Sequence, residues 1–183
     1  MVDYTLRLAV LDDVPAIREL IARSAHGISA ADYTRAQVEA ALQGAFGVDT
    51  ALIRDATLFV AETRARELVA CGGWGRRRTL FGSDSRAERD ETLLDPQSEA
   101  ARIRAFFVDP AYGRHGIGRA LLMRCEADAL RAGFTALETM ATLPGMRLYS
   151  QCGYVPQPAI EHPLPGGLAI RFIPMRKNLR PAP

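Results

Sequence analysis

Long hydrophobic runs are absent from this sequence. No apolar stretch approaches the roughly 18 residues that a membrane-spanning helix needs, so we expect no such helix. The first ten residues, "MVDYTLRLAV", also lack a basic segment followed by an apolar one, which is the pattern of a secretory leader. These two absences predict a cytoplasmic protein that does not bind membranes.

An excess of charge of either sign is also missing. Lysine and arginine total 23 against 21 aspartate and glutamate, a formal net charge of +2. This balance does not favour binding to nucleic acid or to an anionic membrane. The cysteines are few and far apart, with no CxxC pair, so we expect free thiols and no metal site: Cys71, Cys125 and Cys152.

What the sequence does contain is an alternation of strand-like and helix-like segments. The patterns predict the order β-α-α-β-β-β-α-β-α-β-β, which is typical of a layered α/β domain. We expect a single domain over residues 1–183. Residues 76–101 are polar, and we interpret them as a long excursion on the surface of that domain.

A glycine-rich turn stands out between a predicted strand, residues 102–108, and a predicted helix. It lies in the segment "DPAYGRHGIGRALL". Amides in the first turn of a helix lack internal partners, and glycine lets an anion approach them, so the turn predicts a phosphate site. A phosphate-binding Walker loop is excluded because its lysine is missing.

Two alternatives remain open for this turn. In a dinucleotide-binding unit Gly116 and Gly118 would be the first two glycines and Glu138 the ribose ligand, but Leu121 replaces the third glycine. The turn could also begin a helix without binding any ligand. Few strands follow it in the chain, which argues against the dinucleotide fold.

Two segments together resemble the GNAT superfamily of N-acetyltransferases. They are "IRAFFVDPAYGRHGIGRALL" and, downstream, "RLYSQCGYVP". The resemblance implies an α/β fold of mixed type, with a strongly twisted mixed sheet and helices on both faces. In this fold the fourth and fifth strands, here residues 102–108 and 135–141, splay apart to admit coenzyme A.

The resemblance also implies site residues. Backbone amides of the turn would bind the pyrophosphate of acetyl-CoA, and the end of the preceding strand would bond its pantetheine arm. The implied cofactor-binding residues are Phe107, Val108, Gly113, Arg114, His115, Gly116, Ile117, Gly118 and Arg119. Tyr149 matches the tyrosine that would protonate the departing thiolate. No metal is implied.

A general base is harder to assign from the sequence. The fourth strand carries Arg104 and no carboxylate, so we name Glu138 as the candidate base, with a salt-bridged carboxylate as the alternative. His162 and Asp109 are further candidates, although "DP" at Asp109 is typical of a turn. His115 is not assigned a catalytic role.

The resulting hypothesis is an acyl-CoA-dependent N-acetyltransferase. It would transfer acetyl directly from acetyl-CoA to a primary amine of a small molecule or peptide, as a monomer or a homodimer. The alternative is a non-catalytic CoA-binding sensor on the same fold. Trp74 beside "RRR" would suit nucleic acid or an acidic substrate, but the end of a solvated hairpin explains it more simply.

Overall fold

The computed structural model describes residues 3–28, 31–86 and 89–179. Within them the chain forms five α-helices: α1 (Val14–Ile28), α2 (Arg35–Ala41), α3 (Thr50–Arg54), α4 (Ile117–Arg131) and α5 (Leu143–Gln151). It also forms eight strands: β1 (Tyr4–Leu8), β2 (Leu58–Thr63), β3 (Leu68–Gly75), β4 (Ala101–Val108), β5 (Ala136–Thr142), β6 (Val155–Pro156), β7 (Ile160–Leu164) and β8 (Leu168–Asn178).

The strands form one mixed sheet in the order β1-β2-β3-β4-β5-β8-β6, with β7 paired to β8. All the pairs are antiparallel except β4 and β5, which are parallel and joined by the crossover helix α4. Their pairing covers only three positions, ending at Ile103 and Thr139. Both strands continue beyond that point, so they diverge, and the predicted splayed sheet is confirmed.

A β-bulge in β4 lies just beyond the last paired position. Two steps on β3, from Cys71 to Gly73, oppose three steps on β4, from Phe107 to Arg104. Ala105 within this stretch has a left-handed φ of 55°. The opposing Gly72 leaves room for the crowded strand, since a Cβ there would lie 2.6 Å from the Phe106 ring. A bulge increases local bending and twist, which turns β4 away from β5.

Helices cover both faces of the sheet, as predicted. Helix α1 buries Ile17, Leu20 and Ile21 against one face, in a core that also includes residues of α2 and α3. Helix α4 and helix α5 cover the other face. Helix α4 buries an apolar stripe at Ile117, Leu121, Cys125 and Ala129, and it ends at Arg131.

One expectation about local structure needs correction. Residues 76–101 are not simply a surface excursion: Leu94, Thr79 and Ser83 are buried, and Arg77 pairs with Leu93 in a β-bridge.

Helix α5 begins at Leu143. The Thr142 hydroxyl accepts a hydrogen bond from the Gly145 N–H and caps the helix, and a proline fits its first turn.

None of the helices among the described residues is both long enough and apolar enough to cross a bilayer.

Candidate active site

A cavity of about 800 Å³ opens where β4 and β5 diverge. The cavity lies in the gap between the two strands and reaches both faces of the sheet. Its two walls are therefore formed by residues from opposite faces. We call one wall the loop side: residues 113–114 and 116–119, with Phe106, Val108 and Tyr149. We call the other the aromatic side: Phe46, Phe81, Arg104, Phe107 and Phe172.

The glycine-rich turn forms an anion cradle on the loop side. Arg114 and Gly116 have left-handed φ values of 63° and 81°, and α4 begins at Ile117. Backbone N–H groups in such a turn point toward one concave surface. The amides of residues 114–119 find no hydrogen-bond acceptor in the described part of the chain. Six adjacent donors, together with the positive end of the α4 dipole, suit a phosphate group.

The free edge of β4 continues from this cradle into the cavity. Beyond Ile103 the strand has lost its β5 partner, so backbone groups on that edge are available to an extended ligand. The predicted cofactor-binding residues that line the cavity are Phe107, Val108, Gly113, Arg114, Gly116, Ile117, Gly118 and Arg119. His115 is not among the lining residues; it is exposed.

Tyr149 of α5 reaches the same cavity from the loop side. Its ring packs near Phe106 and Tyr154, at centroid distances of 6.1 and 5.5 Å, and the residue is only 5% exposed. Burial raises the pKa of the phenol well above its usual value, although a hydrogen bond with Thr139 opposes this. The hydroxyl therefore keeps its proton at neutral pH and can donate it.

The sequence profile of the acetyltransferase (GNAT) domain matches residues 54–156, which is more than half of the chain. The protein belongs to the GNAT acetyltransferase family. The resemblance drawn from the turn and from "RLYSQCGYVP" is thus confirmed, and with it an acetyltransferase that uses acetyl-CoA as its acyl donor. No curated sequence gives a match.

Solved structures of GNAT enzymes share the fold over nearly the whole chain. The GCN5-related N-acetyltransferase from Rhodopseudomonas palustris has a TM-score of 0.70 at 19% identity, covering 98% of each chain. PaiA N-acetyltransferase from Thermoplasma acidophilum, solved with coenzyme A, gives 0.65 at 12%, covering 96% of this chain and 99% of that one. Mosquito arylalkylamine N-acetyltransferase-like 5b gives 0.63 at 17%, covering 97% and 100%.

Glu138, the predicted base, lies elsewhere in this GNAT protein. Its carboxylate is held between Arg102 and Arg176, and the Arg176 Nη1 donates to it at 2.6 Å. The residue is not among those lining the cavity. A base has to reach the proton that it removes, so this position supports the alternative of a salt-bridged carboxylate.

The other two candidate bases also have local partners. The Asp109 carboxylate accepts from the Ala111 N–H and pairs with Arg23 at 2.8 Å, which fits the predicted turn. The His162 ring packs edge-on against Phe81, with centroids 4.8 Å apart. Burial, assisted by the nearby Arg86, lowers the pKa of His162. Neither residue lines the cavity.

A buried ion cluster on the aromatic side was not predicted. The Arg104 side chain is 3% exposed, and its Nη1 lies 2.6 Å from the Asp49 carboxylate, which also binds Arg89 at 2.8 Å. The Arg104 Nη2 donates to the Gly82 carbonyl at 2.8 Å, so it ties the segment after β3 to the cavity. The available signal was an arginine inside an apolar strand, which requires a partner when buried.

The tryptophan and arginines near residue 76 form no exposed patch. Trp74 is 1% exposed, and its Nε1 donates to Asp128 at 3.0 Å. Arg77 pairs with Asp55 and Arg78 with Glu99. The structure therefore gives neither an exposed aromatic for nucleic acid nor a solvated hairpin end at Trp74, and Arg77 and Arg78 are neutralised locally.

Proposed function

We propose that the protein transfers the acetyl group of acetyl-CoA directly to a primary amine of a small molecule or peptide, with residues 1–183 acting as one catalytic domain. The single observation that carries this proposal is the row of unpaired amides at residues 114–119, which opens onto the same cavity as Tyr149. One feature binds the donor and the other serves the leaving group.

The residues present fit coenzyme A. The loop amides would hold its pyrophosphate, and the unpaired edge of β4 at Phe107 and Val108 would bond the pantetheine arm as an added strand. Gly118 leaves this path open, because a Cβ there would already lie 3.3 Å from Leu148 and 3.5 Å from Val108. PaiA, a protein of the same fold, was solved with coenzyme A.

The bound donor supplies an acyl thioester. In the transfer a C–N bond forms and the C–S bond breaks. The ammonium form of the acceptor loses one proton to solvent before it attacks, the nitrogen loses a second proton as the amide forms, and the sulfur gains one. The Tyr149 hydroxyl is the group that would donate a proton to the departing sulfur. Its raised pKa keeps the phenol protonated while the amine, with an ordinary pKa of about 10.4, has to be deprotonated.

The test combines the wild type with three single variants and a panel of primary amines. Amine-dependent release of thiol from acetyl-CoA is followed at neutral pH, and CoA affinity is measured by calorimetry. For Tyr149→Phe we expect kcat to fall about 100-fold with CoA affinity unchanged. Glu138→Gln should stay within about threefold of wild type, since its carboxylate serves two arginines.

Tyr154→Phe is the matched control. Tyr154 is buried beside Tyr149 but is not among the residues that line the cavity. Equal losses in the two tyrosine variants would remove Tyr149 as the acid. Binding of acetyl-CoA without thiol release on any amine would overturn the proposed reaction in favour of a CoA-binding module.

A further inference from the structure

The aromatic side of the cavity is built to meet an apolar group. Phe46 lies 5.9 Å from Phe107 and 6.4 Å from Phe172, and Phe81 lies 5.3 Å from Phe172, measured between ring centroids. All four rings line the cavity. Clustered aromatic rings of this kind favour an apolar or aromatic part of a ligand.

The charged groups that line the cavity are all of one sign. Arg104, Arg114, Arg119 and Arg147 line it, and no aspartate or glutamate does so among the described residues. Arg114 and Arg119 belong to the loop side, where the donor's phosphates would lie. Arg104 is the arginine of the aromatic side, and its partner Asp49 is buried behind it at 1% exposure.

Arg104 has hydrogen-bonding capacity left over. Its Nη1 faces Asp49 and its Nη2 donates to Gly82, but its buried Nε–H finds no acceptor in the part of the chain that the structure describes. An unpaired N–H of a charged group is costly when buried. A carboxylate is the ligand that a guanidinium binds best.

A second arginine stands beside the same wall. The Arg86 guanidinium lies 4.4 Å from the centre of the Phe81 ring, and its Nη1 donates to the Phe81 carbonyl. Among the described residues, Asp84 and Glu91, which flank it in the chain, pair with Arg89 instead. An acceptor that carries only a cationic amine would therefore contact aromatic rings and guanidinium groups. No lining carboxylate among the described residues would pair with its charge.

We propose that the acceptor is an amino-acid-like amine, which carries a carboxylate bound by Arg104 and an apolar or aromatic side chain held by the four phenylalanines. This inference rests on the proposed function and names its acceptor class. The nearby positive charge would also favour the neutral form of the amine, which is the form that attacks. Arg104 thus sets acceptor specificity and takes no part in proton transfer.

The test uses matched acceptors that differ in one group. Phenylalanine, phenylalaninamide and phenethylamine share a ring and a primary amine, but only the first carries a carboxylate; leucine and 3-methylbutylamine form an aliphatic pair. With wild-type protein and acetyl-CoA we expect kcat/KM to be at least tenfold higher for each amino acid than for its partner without a carboxylate. Equal values, or a preference for the amines without a carboxylate, would overturn the proposal.

Variants then assign the preference to Arg104. In Arg104→Gln the ratio of kcat/KM for phenylalanine over phenylalaninamide should fall to about 1, mainly through KM, and Arg104→Lys should restore part of it. Arg78→Gln is the control, because Arg78 lies in the adjoining segment, pairs with Glu99 and does not line the cavity. A ratio in Arg104→Gln equal to that of wild type would overturn the assignment.

The two proposals fail in different ways. Release of thiol only with amines that lack a carboxylate contradicts the acceptor class and leaves the transferase function standing. Absence of thiol release with every amine contradicts the function itself. If Arg104→Gln does not fold, the wild-type comparison of phenylalanine with phenylalaninamide still decides the acceptor class, and Arg104→Lys tests the residue.

Discussion

The loop side and the aromatic side of the cavity are built by different means. The loop side presents backbone amides from one continuous stretch, residues 114–119. The aromatic side presents side chains from distant parts of the chain, among them Phe46, Phe81 and Phe172. If the two walls bind donor and acceptor as proposed, this division lets acceptor specificity change without altering the donor site.

Removing the charge of Asp49 should have the largest effect on stability. Asp49→Asn leaves Arg104 and Arg89 without their shared buried carboxylate, and we expect the free energy of unfolding to fall by about 3 kcal/mol. Denaturant unfolding measures this, with CoA affinity expected to stay within about twofold. Asp55→Asn, which breaks a less buried pair with Arg77, should lose about 1 kcal/mol. Comparable losses from both variants would show that the aromatic side does not depend on this cluster.

Changing Gly116 should damage the loop side alone. Gly116→Val places a branched side chain at a φ of 81°, so the turn must shift and the amides lose their common direction. We expect CoA affinity to fall about tenfold by calorimetry, while acceptor preference is unchanged. Gly166→Val is the matched control. Gly166 has a similar φ of 75°, and an added Cβ would meet no neighbour at either glycine, but Gly166 lies far from the loop in the chain. Equal CoA affinities in the two variants would contradict the cradle.

Acidification should weaken the aromatic side slightly, through His162. Burial and Arg86 lower the pKa of His162 below its ordinary 6.5, so the unfolded chain takes up this proton more readily than the folded one. The contribution of the neutral ring is present above about pH 6.5 and is lost as the pH falls toward the lowered pKa. The stability difference between wild type and His162→Gln should therefore shrink from pH 7.5 to pH 5 in urea unfolding. A difference that is constant with pH would argue against a depressed pKa.

The same division explains what the sequence could predict. The strand, the glycine-rich turn and helix α4 follow one another in the chain, so local patterns were enough to predict an anion-binding turn there, whereas the role of Tyr149 was implied only by the family resemblance. The Thr34–Gln37 capping box at the start of α2 is equally local, since its two side chains are three residues apart.

The aromatic side was beyond prediction because no local pattern encodes it. Asp49 and Arg104 are far apart in the chain, and their pairing depends on how α3 packs against β3, the neighbour of β4. Residues 76–101 are polar on average, so their composition did not indicate that a few side chains point into the interior. Phe81 and Leu94 are two of these. Glu138 has the right chemistry for a base, but strand pairing places it between two arginines.

The bulge at Ala105 also determines which face of the sheet each later side chain of β4 points to. In a regular strand neighbouring side chains alternate between faces, so Arg104 and Phe106 would share a face. The extra residue inverts this order: Phe106 packs with Tyr149, while Phe107 packs with Phe46 on the face of Arg104. Deletion of one residue here would reverse the orientation of both phenylalanines. Phe106 would then point to the aromatic side of the cavity and Phe107 to the loop side. One inserted residue thus keeps the loop side and the aromatic side of the cavity on opposite faces of a single strand.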